Sequence, residues 1–118
     1  MLTCLVLAAG RGVRLKSPLS KPLIDVGGKP VIYYSLRVLN NHPKVDNIIV
    51  VCNRDNIKRI ESITKKYGFR KVKKFILGGK ERKDSVLNAM KSVSLESDYV
   101  LIHDAARPVL SKGLVSAC

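Results

Sequence analysis

The chain has no tryptophan, an aromatic content of only 5%, three cysteines and few acids, and none of its apolar runs is long. Each shortage removes a class of protein. The longest apolar stretches, such as Ile48 to Cys52, fall far below the roughly 20 residues that cross a bilayer, and no basic region precedes the first apolar run. Neither membrane insertion nor export is expected. The cysteines, Cys4, Cys52 and Cys118, are odd in number, widely spaced and without a C-x-x-C pair, which argues against a zinc or redox site and for a reducing cytoplasm. Cys4 and Cys52 lie inside apolar runs and read as small core residues; Cys118 is the last residue.

Acidic residues are the scarcest charged group, 9 against 22 lysines and arginines, which leaves a formal charge of +13. A surface that positive attracts polyanions, whether nucleic acids, acidic membranes or small phosphates, and charge alone does not choose among them. The low aromatic content and the lack of a basic recognition helix count against nucleic acid, where stacking platforms are the usual device. Many basic residues fall between Arg54 and Lys83, and Lys65, Lys66, Lys73 and Lys74 take outward positions of an expected helix and strand, as on a solvated face.

What is present is one domain's worth of alternating elements, with 118 residues and 46% hydrophobic content. Leu2 to Ala8 is too short and too continuously apolar for a helix and reads as a buried strand, ended by Gly10. Gly10 to Pro22 has no helical period and is expected to be a long functional loop. Pro30 suits a first helical turn, after which Ile32, Ser35, Leu36 and Leu39 keep one face until Asn40, Asn41 and Pro43. Asn47 to Cys52 is a second buried strand. Ile57, Ile60, Ile63 and Tyr67 mark a helix closed by Gly68. A third, weaker strand runs over Lys71 to Leu77, a helix over Arg82 to Val93 with Val86, Leu87, Met90 and Val93 inward, and a fourth buried strand over Tyr99 to His103; Ser111 suits the cap of a last helix. Strands that alternate with helices and are apolar on both faces predict a mostly parallel sheet with helices on both sides, and ligands in such sheets gather beyond the carboxyl ends of the strands.

The loops after the first, third and fourth strands hold the residues that carry chemistry. The first, Ala8-Ala9-Gly10-Arg11-Gly12-Val13-Arg14-Leu15, offers small residues and backbone N–H groups to phosphate oxygens. It is neither a Walker loop, since no Gly-Lys-Ser/Thr follows, nor a dinucleotide fingerprint, since Leu15 stands where a third glycine belongs. Arg14 and then Lys21, in Ser20-Lys21-Pro22-Leu23-Ile24, follow it. The second loop reads Gly78-Gly79-Lys80-Glu81-Arg82-Lys83-Asp84-Ser85, and the fourth strand runs into His103-Asp104-Ala105-Ala106-Arg107-Pro108.

Taken in this order, these motifs resemble the 2-C-methyl-D-erythritol 4-phosphate cytidylyltransferase family, and the His-Asp-Ala-Ala-Arg-Pro run is the most specific of them. They span Ala8 to Pro108, whereas family members are roughly twice as long. The resemblance implies a three-layer α/β/α Rossmann-like fold of the nucleotide-diphospho-sugar transferase type, with residues 1–118 as its N-terminal CTP-binding portion. It implies that Ala8, Ala9, Gly10, Gly12 and Gly79 hold the nucleotide, with Ser85 near the cytosine and Arg82 and Arg107 supporting the site. Asp104 would bind the magnesium ion that bridges the triphosphate, and Arg14 and Lys21 would act at the reacting centre. The implied partners are CTP and an alditol phosphate, and the full-length protein is expected to be a homodimer.

These residue types suit attack of a substrate phosphate on the α-phosphorus of CTP with loss of pyrophosphate. Charge gathers on the pentacoordinate centre, so fixed cations and a metal are the useful groups. A monophosphate, with a second pKa of about 6, is largely a dianion at pH 7 and needs no general base. His103 is expected to be a strand-end residue hydrogen-bonded to backbone rather than a catalyst, and His42, beside Pro43 in a turn, has no evident role. One departure concerns Lys21: the family has a Pro-Lys-Gln run where this chain has Ser20-Lys21-Pro22, a form the related sugar nucleotidyltransferases show. The closest rival within enzymes is a ribitol-5-phosphate cytidylyltransferase, which more often has a bulkier residue where Ala106 stands. The rivals outside that class are a basic nucleic-acid-binding module and an inactive folded fragment.

Overall fold

Four strands of six residues each build the sheet. The computed structural model describes residues 1–9, 23, 25–79, 82–93 and 98–105. In chain order these form β1 (Leu2–Leu7), β2 (Asp25–Val26), β3 (Lys29–Pro30), α1 (Val31–Asn41), β4 (Asn47–Cys52), α2 (Ile57–Tyr67), β5 (Val72–Leu77), α3 (Arg82–Lys91) and β6 (Tyr99–Asp104). The main sheet runs β5-β4-β1-β6, and all three of its pairings are parallel. The expected mostly parallel sheet is therefore observed. The second, third and fourth strands read from the sequence are β4, β5 and β6; the last, expected to be buried, is buried only at His103, with Tyr99 and Ile102 exposed, since it lies at one border of the described sheet.

Alternation along β1 divides the interior between two layers of helix. Cys4 and Val6 face α1 and α2, in a core with Ile32, Leu36, Leu39, Ile48, Val50 and Ile60. Leu5 and Leu7 face α3, with Ile49, Val51 and Ala89. Cys4 and Cys52 are buried free thiols, as expected. Burial, assisted by the charge of Glu61, pushes the Cys52 thiol up to about 12, so it stays protonated and inert at neutral pH.

The helix faces follow the sequence in two cases of three. In α1, Ile32, Ser35, Leu36 and Leu39 are buried. Along α2, Ile60 is buried and Ile57, Ile63 and Tyr67 pack partly against the same core. This helix ends where Gly68 takes φ 65°, with Gly68 N–H donating to the Lys65 carbonyl and Phe69 N–H to that of Thr64, a Schellman closure. In α3 and just after it the expectation holds for Val86 and Val93, which pack partly against the core on that side of the sheet, and fails for Leu87 and Met90, 59% and 45% exposed, whereas Ser85 and Ala89 are buried. Small residues let the helix lie close to the sheet and turn its larger side chains outward.

Two further features were not foreseen. A short antiparallel hairpin pairs Asp25 with Pro30 and Val26 with Lys29, turning at Gly27 and Gly28. His42 is buried, and its Nδ1 accepts the Lys44 N–H at 3.0 Å, so it closes the turn after α1. The long loop after β1 and the helix expected from Ser111 lie outside the described residues. Among those described, no helix is long and apolar enough to cross a membrane.

Candidate active site

Because the four strands are parallel, their carboxyl ends share one edge, and the registers align Leu7 with both Val51 and Asp104, and Cys52 with Leu77. The chain runs β1 to β4 to β5 in one direction and then crosses to β6 on the other side of β1. The direction of winding thus reverses between β1 and β6, at the crevice where open α/β sheets take their ligands. Ala8 and Ala9 leave β1 on one side of that crevice. Asp104 ends β6 on the other, exposed, with the Ala105 N–H donating to the Leu7 carbonyl at 2.9 Å.

The loop after β5 reaches this edge through close packing. A Cβ built on Gly78 would lie 2.7 Å from the Ala9 Cβ, 3.1 Å from a Val51 methyl and against the Ser85 hydroxyl, so the lack of a side chain permits three segments to meet. Gly79 is packed in the same way against Asp84. Ser85 is 4% exposed. Of the residues singled out in the sequence, Ala8, Ala9, Gly79, Ser85 and Asp104 stand on the edge or on the helix entering from it. Arg82 opens α3, but its side chain lies outside the described residues, as do Gly10, Gly12, Arg14, Lys21 and Arg107 entirely.

Sequence reasoning passed over the loop after β4, which lacks the Gly and Lys signals of the others. The Asn56 side chain, 1% exposed, donates to the Ala8 carbonyl at 2.8 Å, and that of Asn53 donates to the Ala9 carbonyl at 3.3 Å. An asparagine pair three apart just after a buried strand was the available signal, since such residues organise turns and helix starts. His103 also has a side-chain partner that was not anticipated: its Nε2 meets the Ser35 hydroxyl of α1 at 2.9 Å in the interior, tying the end of β6 to that helix.

Asp104 tests the edge as a metal site. Among the described residues, no three His, Cys, Asp or Glu side chains gather, which excludes from that region an all-protein cage of the kind calcium or structural zinc uses. An exposed carboxylate at the ligand edge of a parallel sheet does fit magnesium, which is commonly held by one or two carboxylates plus substrate phosphates and water. A separate groove of about 390 Å³ lies between the β2–β3 hairpin and α2, lined by Leu23, Pro30, Arg59, Ile63 and Lys66 among others. It shares no residue with this edge.

Known proteins share both the sequence and the arrangement. The chain is 47% identical over 116 residues to the 2-C-methyl-D-erythritol 4-phosphate cytidylyltransferase of Lachnoclostridium phytofermentans, covering 98% of this chain and 49% of that protein. The enzyme of the same name from Clostridium botulinum strain 657 is 41% identical over 111 residues, 94% of this chain and 48% of its own length. The crystal structure of 4-diphosphocytidyl-2C-methyl-D-erythritol synthase from Anaerococcus prevotii superposes with a TM-score of 0.84 at 29% identity, covering 98% of this chain and 48% of that one. A CMP:2-keto-3-deoxy-manno-octonic acid synthetase complexed with CTP, at 22% identity and a TM-score of 0.73, shares the fold. The chain thus spans about half the length of these curated relatives. The model of the 2-C-methyl-D-erythritol 4-phosphate cytidylyltransferase family matches residues 2–118, and the chain belongs to that family.

Proposed function

We propose that these 118 residues form the N-terminal, nucleotide-binding portion of a cytoplasmic enzyme that transfers CMP from CTP to 2-C-methyl-D-erythritol 4-phosphate and releases pyrophosphate. The observation that carries this reading is that the Ala8-Ala9, Gly78-Gly79 and Asp104 segments lie along one edge of the sheet, with Gly78 packed against Ala9 and Asp104 in register with Leu7. Backbone N–H groups from Ala8 to Gly12 would hold the phosphates and the Gly79 loop the rest of the nucleotide, with Ser85 beside the base. Arg82 and Arg107 would support that contact.

Attack by the substrate phosphate on the α-phosphorus gathers negative charge at one centre, where Arg14 and Lys21 supply fixed positive charge. The attacking oxygen is already ionised near neutral pH, so no side chain needs to remove a proton. Asp104 would hold the magnesium ion, whose contribution when bound is to neutralise the triphosphate.

Titration calorimetry with CTP and magnesium tests the assignment on this chain. Asp104→Asn and Lys21→Ala are each expected to weaken binding about tenfold or more, the loss of one charge-assisted contact to phosphate. Wild-type affinity in both variants would remove the site. For the substrate, pyrophosphate release should be faster with methylerythritol phosphate than with ribitol 5-phosphate, and the reverse order would assign the enzyme to the alditol class. Because half of the relatives' length is absent from these residues, turnover by the isolated chain is expected to be slow or nil while binding persists.

A further inference from the structure

We propose that Asn53 and Asn56 are positioning residues, which clasp the carbonyls of Ala8 and Ala9 so that the Ala9 N–H is presented to the nucleotide phosphates. The inference rests on the CTP-binding reading above and adds a device from the one loop of the edge to which that reading gives no role.

The two side chains form a closed arrangement. Asn53 Oδ1 accepts the N–H groups of Asp55 and Asn56, both at 2.9 Å, which folds the chain into the turn that starts α2. Asn56 Oδ1 accepts the Asn53 N–H at 2.9 Å and locks that turn. With both oxygens engaged inside the loop, both amide nitrogens point out of it: Asn56 Nδ2 to Ala8 O at 2.8 Å and Asn53 Nδ2 to Ala9 O at 3.3 Å. Burial of Asn56 to 1% exposure makes its bond expensive to lose.

A trans peptide is planar, with C=O and the next N–H on opposite sides. Holding the Ala8 carbonyl toward Asn56 therefore turns the Ala9 N–H away from the β4 loop, and holding the Ala9 carbonyl fixes the other side of the same residue. The Ala8 N–H is itself occupied by the Val51 carbonyl at 2.7 Å. Ala9 is thus the first backbone donor past β1 whose direction the clasp sets. Fixing it beforehand spares the ligand the entropy of ordering the loop.

Asn53→Asp keeps the oxygen that accepts the turn bonds and loses the donor to Ala9. Asn53→Ser also keeps an acceptor, is neutral, and is too short to reach Ala9. Both are expected to remain folded by circular dichroism and to bind CTP with magnesium about tenfold more weakly than wild type. By NMR, the Ala9 amide signal should move on CTP addition in wild type and move far less in both variants at equal saturation, which a merely structural role would not produce. Weakening by Asn53→Asp alone would show simple charge repulsion and overturn the clasp, as would unchanged affinity in both. Failure of the wild-type chain to bind CTP would instead overturn the reading of the site and the clasp with it.

Discussion

Gly78 shows how one missing methyl group can hold a site together. Its empty Cβ position is surrounded by Ala9, Val51 and Ser85, so any side chain there must push the β5 loop away from the β1 loop or lift α3 from the sheet. Gly78→Ala is expected to destabilise the fold by about 1–3 kcal/mol, the usual range for overpacking, and to weaken CTP binding as well. Calorimetric Tm and CTP affinity measured on one sample check both, and a variant that kept either at the wild-type value would contradict the packing argument. The role of this residue was not legible in the sequence. The Gly78-Gly79 pair signals a turn by composition, but close contact with Ala9 depends on β4 lying between β1 and β5, which no local pattern encodes. Asn53 and Asn56 were missed for the same reason, since their partners are 44 and 48 residues away. The place of Asp104, by contrast, is legible, because a carboxylate at the end of a strand lies on the ligand edge in any parallel sheet.

At the scale of elements, the sequence was read correctly wherever burial on both faces imposed a simple pattern. β1 and β4 are continuous apolar runs, and α1 and α2 repeat apolar residues at helical spacing, so each was placed within a residue or two of its observed bounds. The β2–β3 hairpin escaped because two residues per strand carry no alternation to detect. The inward face of α3 is legible in Val86 and Val93 but not in its small residues, because side-chain size is no guide to burial where a helix lies close to a sheet. Ser85 fits beside Gly78 and Ala89 is buried against Leu5 and Leu7, while Leu87 and Met90 turn out. The end of α2 was read correctly and offers a clean test. Gly68 has φ 65°, and a Cβ added there would meet nothing within 4 Å, so Gly68→Ala would cost only backbone strain, about 1 kcal/mol. The expected fall in Tm is roughly 4–8 °C for a domain of this size, with CTP affinity unchanged. An unaltered Tm would mean that the left-handed closure of α2 is not needed. Gly68→Ala also serves as the control for Gly78→Ala, since it lowers stability at a site far from the ligand edge in the chain's own topology.

Across the whole molecule, the two borders of the sheet differ in kind. β5 carries Lys73 and Lys74, both exposed, which is how natural sheets keep an outer strand from pairing with another chain. β6 reads Tyr-Val-Leu-Ile-His-Asp, with no charge before its last residue. Four of the five large exposed hydrophobic residues among those described belong to α3 or β6: Leu87, Met90, Tyr99 and Ile102. By register, Ile102 shares a sheet face with Leu5, the face on which α3 packs. An apolar surface beside an unguarded strand tends to be covered, and the curated relatives have as much chain again as is present here with which to cover it. On its own, the chain is expected to cover it with a second copy. Sedimentation velocity at tens of micromolar should show a species heavier than the monomer, despite the repulsion of a +13 charge, with the larger species favoured as salt screens that charge. Leu87→Lys combined with Ile102→Lys would give α3 and β6 the protection that β5 already has, and should return the chain to a monomer with its circular dichroism unchanged. A wild-type chain that stayed monomeric at every concentration and salt would show that this surface does not drive association.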